Sequence, residues 1–180
     1  MKKFFILLLL IVAGIGFYLW SRPATPTEPN NTTTNKGTNF EPDPSAGTFT
    51  FDDETVTLLN GRAESSDTVG LVTTTELLKE KAYGDINGDG KNDVVVLVSR
   101  SGGGSGVFIY AVAYVSGPVS YKGTNAIFLG DRVAPQSVSI TNSAAIVRYL
   151  DRKVDEPYSA EPTVSVTKQL VYKNGEFVEK

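Results

Sequence analysis

Residues 82–98 read AYGDINGDGKNDVVVLV and set Asp85, Asn87, Asp89 and Asp93 two to four positions apart, with Gly88 and Gly90 between them. Calcium is a hard cation that takes about six to eight oxygens at roughly 2.3–2.6 Å, so a chain supplies several only by curling around it with alternate residues inward. Counted from Asp85, positions 1, 3 and 5 are Asp85, Asn87 and Asp89, position 7 is Lys91 with a main-chain carbonyl to offer, and position 9 is Asp93. Position 6, where the curl needs a residue without a Cβ, is Gly90. Ile86 and Val94 fall in the opposite phase and are expected to anchor the loop. The spacing therefore predicts a calcium loop with Asp85, Asn87, Asp89, Lys91 and Asp93 as ligands. A bare hairpin turn is the competing account, because Asn, Asp and Gly all favour left-handed turn geometry. Against it stand three carboxylates with only Lys91 to offset them, each pair repelling by up to about 1 kcal/mol at close range in water.

A helical calcium hand carries a bidentate glutamate at position 12, and here that position is Val96, inside VVVLV. The nine-residue form D-x-N-x-D-G-x-x-D running into a strand instead resembles the calcium loops of the FG-GAP and VCBS repeat families. That resemblance implies side-chain ligation by Asp85, Asn87, Asp89 and Asp93 and carbonyl ligation by Lys91. Such families usually form seven-bladed propellers with many loops, and one loop on about 130 globular residues excludes a propeller. In order, VTLLNGRAE, AYGDINGDGKNDVVVLV, GGGSGVFIYAVAY, TNAIFLGDRV and LVYKNGEFVE also resemble a group of uncharacterised small bacterial envelope proteins. This likeness covers nearly all of residues 55–179, implies a bacterial source and a single domain, and implies no activity.

The loop must be held by strands. TFTF and TVTLLNG alternate polar and apolar side chains, VFIYAVAYVSG and SVSITNSAAIVRYL are rich in β-branched and aromatic residues, and Asn174-Gly175 between QLVY and EFVE signals a two-residue hairpin. TTTELLKEKAYGD could make a short helix, but the strands on either side favour a strand or a single turn. The expected fold is all-β or β-dominated α+β: a single antiparallel sandwich or rolled sheet over residues 48–180, with one calcium loop.

Ahead of it, Lys2 and Lys3 precede residues 4–20, FFILLLLIVAGIGFYLW, which carry no charge. At about 1.5 Å per residue they reach about 26 Å, the short end of a membrane span. Tyr18 and Trp20 fit an interfacial belt better than a cleavage site, which favours a retained anchor over a cleaved signal. The predicted topology is single-pass, with a cytoplasmic N-terminus and the domain outside the cell membrane, or a secreted domain if the segment is cut. Residues 21–47, rich in Pro, Thr and Asn, read as a disordered stalk.

With no cysteine, no disulfide staples the fold. With no histidine, the commonest general base and transition-metal ligand are missing. A net charge of −3 with scattered lysines and arginines gives no nucleic-acid surface. SRSGGGSG, residues 99–106, lacks the Lys-Ser/Thr ending of a phosphate loop and the fifth-position glycine of a nucleophile elbow, and is read as a flexible connection that could also line a cleft beside the metal loop. Asp131 and Arg132, with Asp151, Asp155 and Glu156, are read as solvated loop residues. The sequence thus leads to a membrane-tethered, extracytoplasmic, calcium-binding module with a structural ion and an unknown protein or glycan ligand. The alternative is a carbohydrate-acting enzyme or sugar binder using the ion or the Asp131 and Asp151 clusters; no catalytic set is found.

Overall fold

The computed structural model describes residues 40–52 and 54–180. The predicted membrane segment and residues 21–39 of the predicted stalk lie outside the described residues. Among the described residues, no helix is long and apolar enough to cross a membrane.

Twelve strands follow a 3-10 turn at Pro44–Ala46: β1 (Thr48–Phe51), β2 (Glu54–Thr57), β3 (Arg62–Ser66), β4 (Val72–Gly84), β5 (Asp93–Gly102), β6 (Phe108–Ser116), β7 (Tyr121–Gly123), β8 (Ile127–Asp131), β9 (Ala134–Thr141), β10 (Ala144–Asp151), β11 (Val164–Lys173) and β12 (Glu176–Glu179). Packing begins before Thr48: Pro42, Pro44 and Gly47 are buried, and the Asp43 carboxylate caps the Ser45 amide of the 3-10 turn at 2.9 Å.

The strands form three antiparallel sheets in sandwich order. The largest runs β3-β4-β5-β6-β7, with β8 sharing the far edge of β6. A second runs β12-β11-β10-β9, and β1 and β2 make a separate hairpin. Residues 94–98 of β5 are VVVLV, and all are buried because both faces of this strand are covered. Val95 and Leu97, with Ile109, Ala111, Ala113 and Val115 of β6, face Ala145, Val147 and Tyr149 of β10, Leu170 of β11 and Phe177 of β12. Val96, Val98 and Val112 point the other way, onto Phe49, Phe51, Val56 and Leu58. Each fully buried aliphatic or aromatic side chain of this kind contributes roughly 1.5–3 kcal/mol, which lets the domain stand without disulfides. Asn125 ties the layers, its amide oxygen accepting from Phe177 N and its Nδ2 donating to Phe177 O, both at 2.8 Å.

The stretch that could have made a short helix is strand β4, interrupted where its pairing with β5 slips between Leu77 and Lys81. Leu77 joins the packing against β1 and β2, and Leu78 the packing against the four-stranded sheet. One bulge thus buries two adjacent leucines on opposite faces. Asn174 and Gly175, at φ +55° and +89°, make the predicted hairpin turn between β11 and β12. A second such turn, Asn142-Ser143 at φ +51° and +54°, divides SVSITNSAAIVRYL into β9 and β10.

Candidate metal centre

Residues 85–93 connect the end of β4 to the start of β5, and Gly84 pairs with Asp93 across the loop mouth. Ile86 and Val94 are buried, 2 % and 0 % exposed, and fasten the loop from inside as their phase predicts. Gly88 and Gly90 take φ of +83° and +80°, a region open to glycine at little cost, and a Cβ on either would meet nothing within 4 Å. Glycine here serves the backbone's path and leaves free space above it.

Every carboxylate oxygen of the three aspartates accepts a hydrogen bond. Asp85 takes the Gly88 amide at 2.6 Å and the Gly90 amide at 2.8 Å. Asn87 Oδ1 takes the Asp89 amide, and Asp89 Oδ1 takes the Lys91 amide, both at 2.9 Å. Asp93 is wholly buried and accepts from Ile86 N at 2.9 Å and from Ser116 N at 2.8 Å. Lys91 Nζ lies 3.8 Å from Asp89 and donates to Gly117 O at 3.3 Å.

Ser116, at the end of β6, is the residue that sequence reasoning missed. Its hydroxyl stands 2.7 Å from Asp89 Oδ2 and 2.9 Å from Asp93 Oδ1, while Asn87 Nδ2 reaches its carbonyl at 2.9 Å. A hydroxyl has one proton, so two carboxylates converge on a group that can satisfy only one of them at a time. The hydrogen bond from Ser116, then that from the Lys91 amide, holds the Asp89 carboxyl below its ordinary value. Tyr121 closes the side of the loop, its hydroxyl donating to Asn92 O at 2.9 Å.

The predicted ligands are thus brought together unevenly. Asp89, Asp93 and Asn87 meet at Ser116, whereas Asp85 is turned into the loop's own amides and the Lys91 carbonyl belongs to the turn. Among the described residues, no three aspartate, glutamate, histidine or cysteine side chains are gathered as they would be around an ion. The donor chemistry nonetheless suits calcium: hard oxygens only, with each carboxylate oxygen keeping lone-pair capacity beyond its present hydrogen bonds. Four surface hollows, of 460, 320, 340 and 320 Å³, have no residue of 85–93 in their walls.

Among the other sequence candidates, Asp131, Arg132 and Asp151 are bound to neighbouring loop atoms, and Asp151 and Glu156 line one of the four hollows. The Asp131 carboxylate accepts from Val107 N at 2.9 Å, and Arg132 Nε donates to Ser105 O at 2.7 Å, so the glycine-rich connection after β5 is tied down. Ser101 and Gly102 do line a hollow, but it lies at the opposite end of β5 from the aspartate loop rather than beside it. Arg152 donates to Ala160 O at 2.6 Å and to Arg132 O at 3.0 Å, and Asp151 accepts the Arg152 amide at 2.7 Å.

No family model matches the chain, and no curated protein or solved structure matches it significantly. The likeness of the loop to FG-GAP and VCBS repeats therefore rests on its own nine residues.

Proposed function

We propose that the protein is a membrane-tethered extracytoplasmic binding module whose β domain is stabilised by one calcium ion held in residues 85–93. The observation that carries the calcium reading is the convergence of Asp89 and Asp93 on the single hydroxyl proton of Ser116. A cation there would bridge two carboxylates that now share one hydroxyl, using the lone pairs their hydrogen bonds leave free. Asp93 and Asp89 would hold it, with Asn87 Oδ1, Asp85 and the Lys91 carbonyl completing the set once Asn87 turns from the Asp89 amide and Asp85 from the Gly88 and Gly90 amides. The role is structural: the loop joins the ends of β4, β5 and β6 and borders none of the four hollows. The membrane tether rests on the apolar residues 4–20.

With three charged ligands and no position-12 glutamate, the site belongs among extracellular modules of roughly 10⁻⁴–10⁻³ M affinity. Calcium at a few-fold excess over Kd then adds about 1 kcal/mol to folding stability. Thermal melting of the full chain with calcium and with a chelator tests this. An upward shift in calcium that disappears in Asp89→Ala is expected; no shift in the parent protein, or an equal shift in the variant, overturns the proposal.

A further inference from the structure

At the end of β5 and β6 away from the aspartate loop, two hollows of 320 and 340 Å³ share Phe108 and Tyr110 as a common wall. Each falls near the lower end of the roughly 300–1,000 Å³ of small-ligand sites. One adds Phe128 and Asp52; the other adds Glu54, Arg100, Thr73 and Ser101. Phe108 and Phe128 are 40 % and 50 % exposed, with ring centroids 6.2 Å apart at 55°, and Tyr110 lies 5.4 Å from Phe128 at 58°. Tyr110 also packs edge-to-face on buried Phe51, 5.3 Å away, so Phe108 and Phe128 are the rings that present surface to a ligand and Tyr110 forms the floor between them. Gly106 reserves the place of the Phe108 ring, since a Cβ there would come within 2.9 Å of it.

The cationic charge of the cleft is settled internally. Arg100 pairs with Glu54, donates to Thr75 at 3.3 Å and lies 4.6 Å over the Phe51 ring, so its guanidinium is already engaged. Asp52 adds a negative charge at the lip. Among the described residues, an anion finds no uncommitted cation here. By contrast, among the described residues the Tyr110 phenol, the Asp52 carboxylate and the Thr73 and Ser101 hydroxyls have no side-chain hydrogen bond. Half-exposed aromatic rings beside uncommitted donors and acceptors suit a neutral ligand that is apolar on one face and hydroxylated at its rim. A hexose with equatorial hydroxyls has that form, because its axial C–H bonds leave the ring faces apolar.

We propose that this cleft binds a neutral chain of hexoses with equatorial hydroxyls, through Phe108 and Phe128 on its C–H faces and through Asp52, Thr73, Ser101 and the Tyr110 phenol on its hydroxyls. The proposal rests on the reading of the domain as a binding module and names the ligand of that module; the ion takes no part in it.

The test is calorimetric titration of the full chain, in micelles of a detergent without a sugar headgroup, with cellohexaose, N-acetylchitohexaose and, as charged control, hexagalacturonate. Each is run with calcium and with a chelator, alongside thermal melts. Saturable binding of a neutral chain is expected, weakened about fivefold by Phe128→Ala and by Asp52→Asn, with hexagalacturonate not bound. No binding of either neutral chain overturns the proposal. So does binding that neither variant changes, or hexagalacturonate bound as tightly. A calcium-dependent melting shift without saccharide binding sinks the ligand and leaves the ion; saccharide binding without the shift does the reverse.

Discussion

The two ends of the β5–β6 pair treat polar groups in opposite ways. At the aspartate loop every carboxylate oxygen already accepts a hydrogen bond, and Asp93 is wholly buried in doing so. At the aromatic end, phenol, hydroxyl and carboxylate groups border half-exposed rings without side-chain partners among the described residues. About 23 Å separates the start of β5 from Arg100, taking seven residues at roughly 3.3 Å each. Polar groups engaged internally hold strands together, and polar groups left uncommitted beside apolar surface are available to a ligand. The same pair of strands thus has an end whose polar groups are spent on the fold and an end where, on the proposal above, they would serve a ligand.

The contrast is open to breakage, most severely at Asp93. Asp93→Ala leaves the buried Ile86 and Ser116 amides without an acceptor and should cost about 3 kcal/mol in urea unfolding, with or without calcium. A loss near zero would mean that the loop fastens nothing. Ser116→Ala removes the hydroxyl shared by Asp89 and Asp93 and should cost about 1–2 kcal/mol by the same measurement. Acid should act more gently. Because Asp89 is held below its ordinary value in the fold, its contribution is fully present above about pH 4 and is lost as pH falls through the lowered value. Stability measured across that acid limb should therefore decline less steeply in Ser116→Ala than in the parent. Smallest of all, Phe128→Ala at the other end should change stability by no more than about 0.5 kcal/mol, since half the side chain is already in solvent. A larger loss there would make the rings part of the core and remove the distinction between the two ends.

How far each end was legible follows from how local it is. The loop's oxygens lie within nine consecutive residues, so spacing alone proposed them, and the phase of Ile86 and Val94 gave their burial. Ser116 was not legible, because it reaches Asp93 only through the register that sets Val94 opposite Tyr114. The cleft was less legible still: Glu54, Thr73, Arg100, Phe108 and Phe128 come from five different strands, and nothing in their sequence spacing connects them. Alternation and β-branched runs were enough for an antiparallel β fold, yet could not tell that β1 and β2 would cover the second face of β5. The β9–β10 turn escaped notice because Ser143 adopts a left-handed backbone that its residue type does not advertise, leaving Asn142 as the one cue.

Phe40, where the described chain begins, lays its ring 5.8 Å from Tyr121, whose hydroxyl is bound to Asn92. The polypeptide therefore joins the domain at the aspartate pole, with the aromatic cleft at the far pole. A pull between an attachment through residue 40 and a ligand in that cleft would run lengthwise along β5 and β6. Their ladder hydrogen bonds lie across that direction and would share the load in shear instead of parting one after another from an end. In mechanical terms, tethering and capture at these two poles would stress the domain along its strands rather than across them.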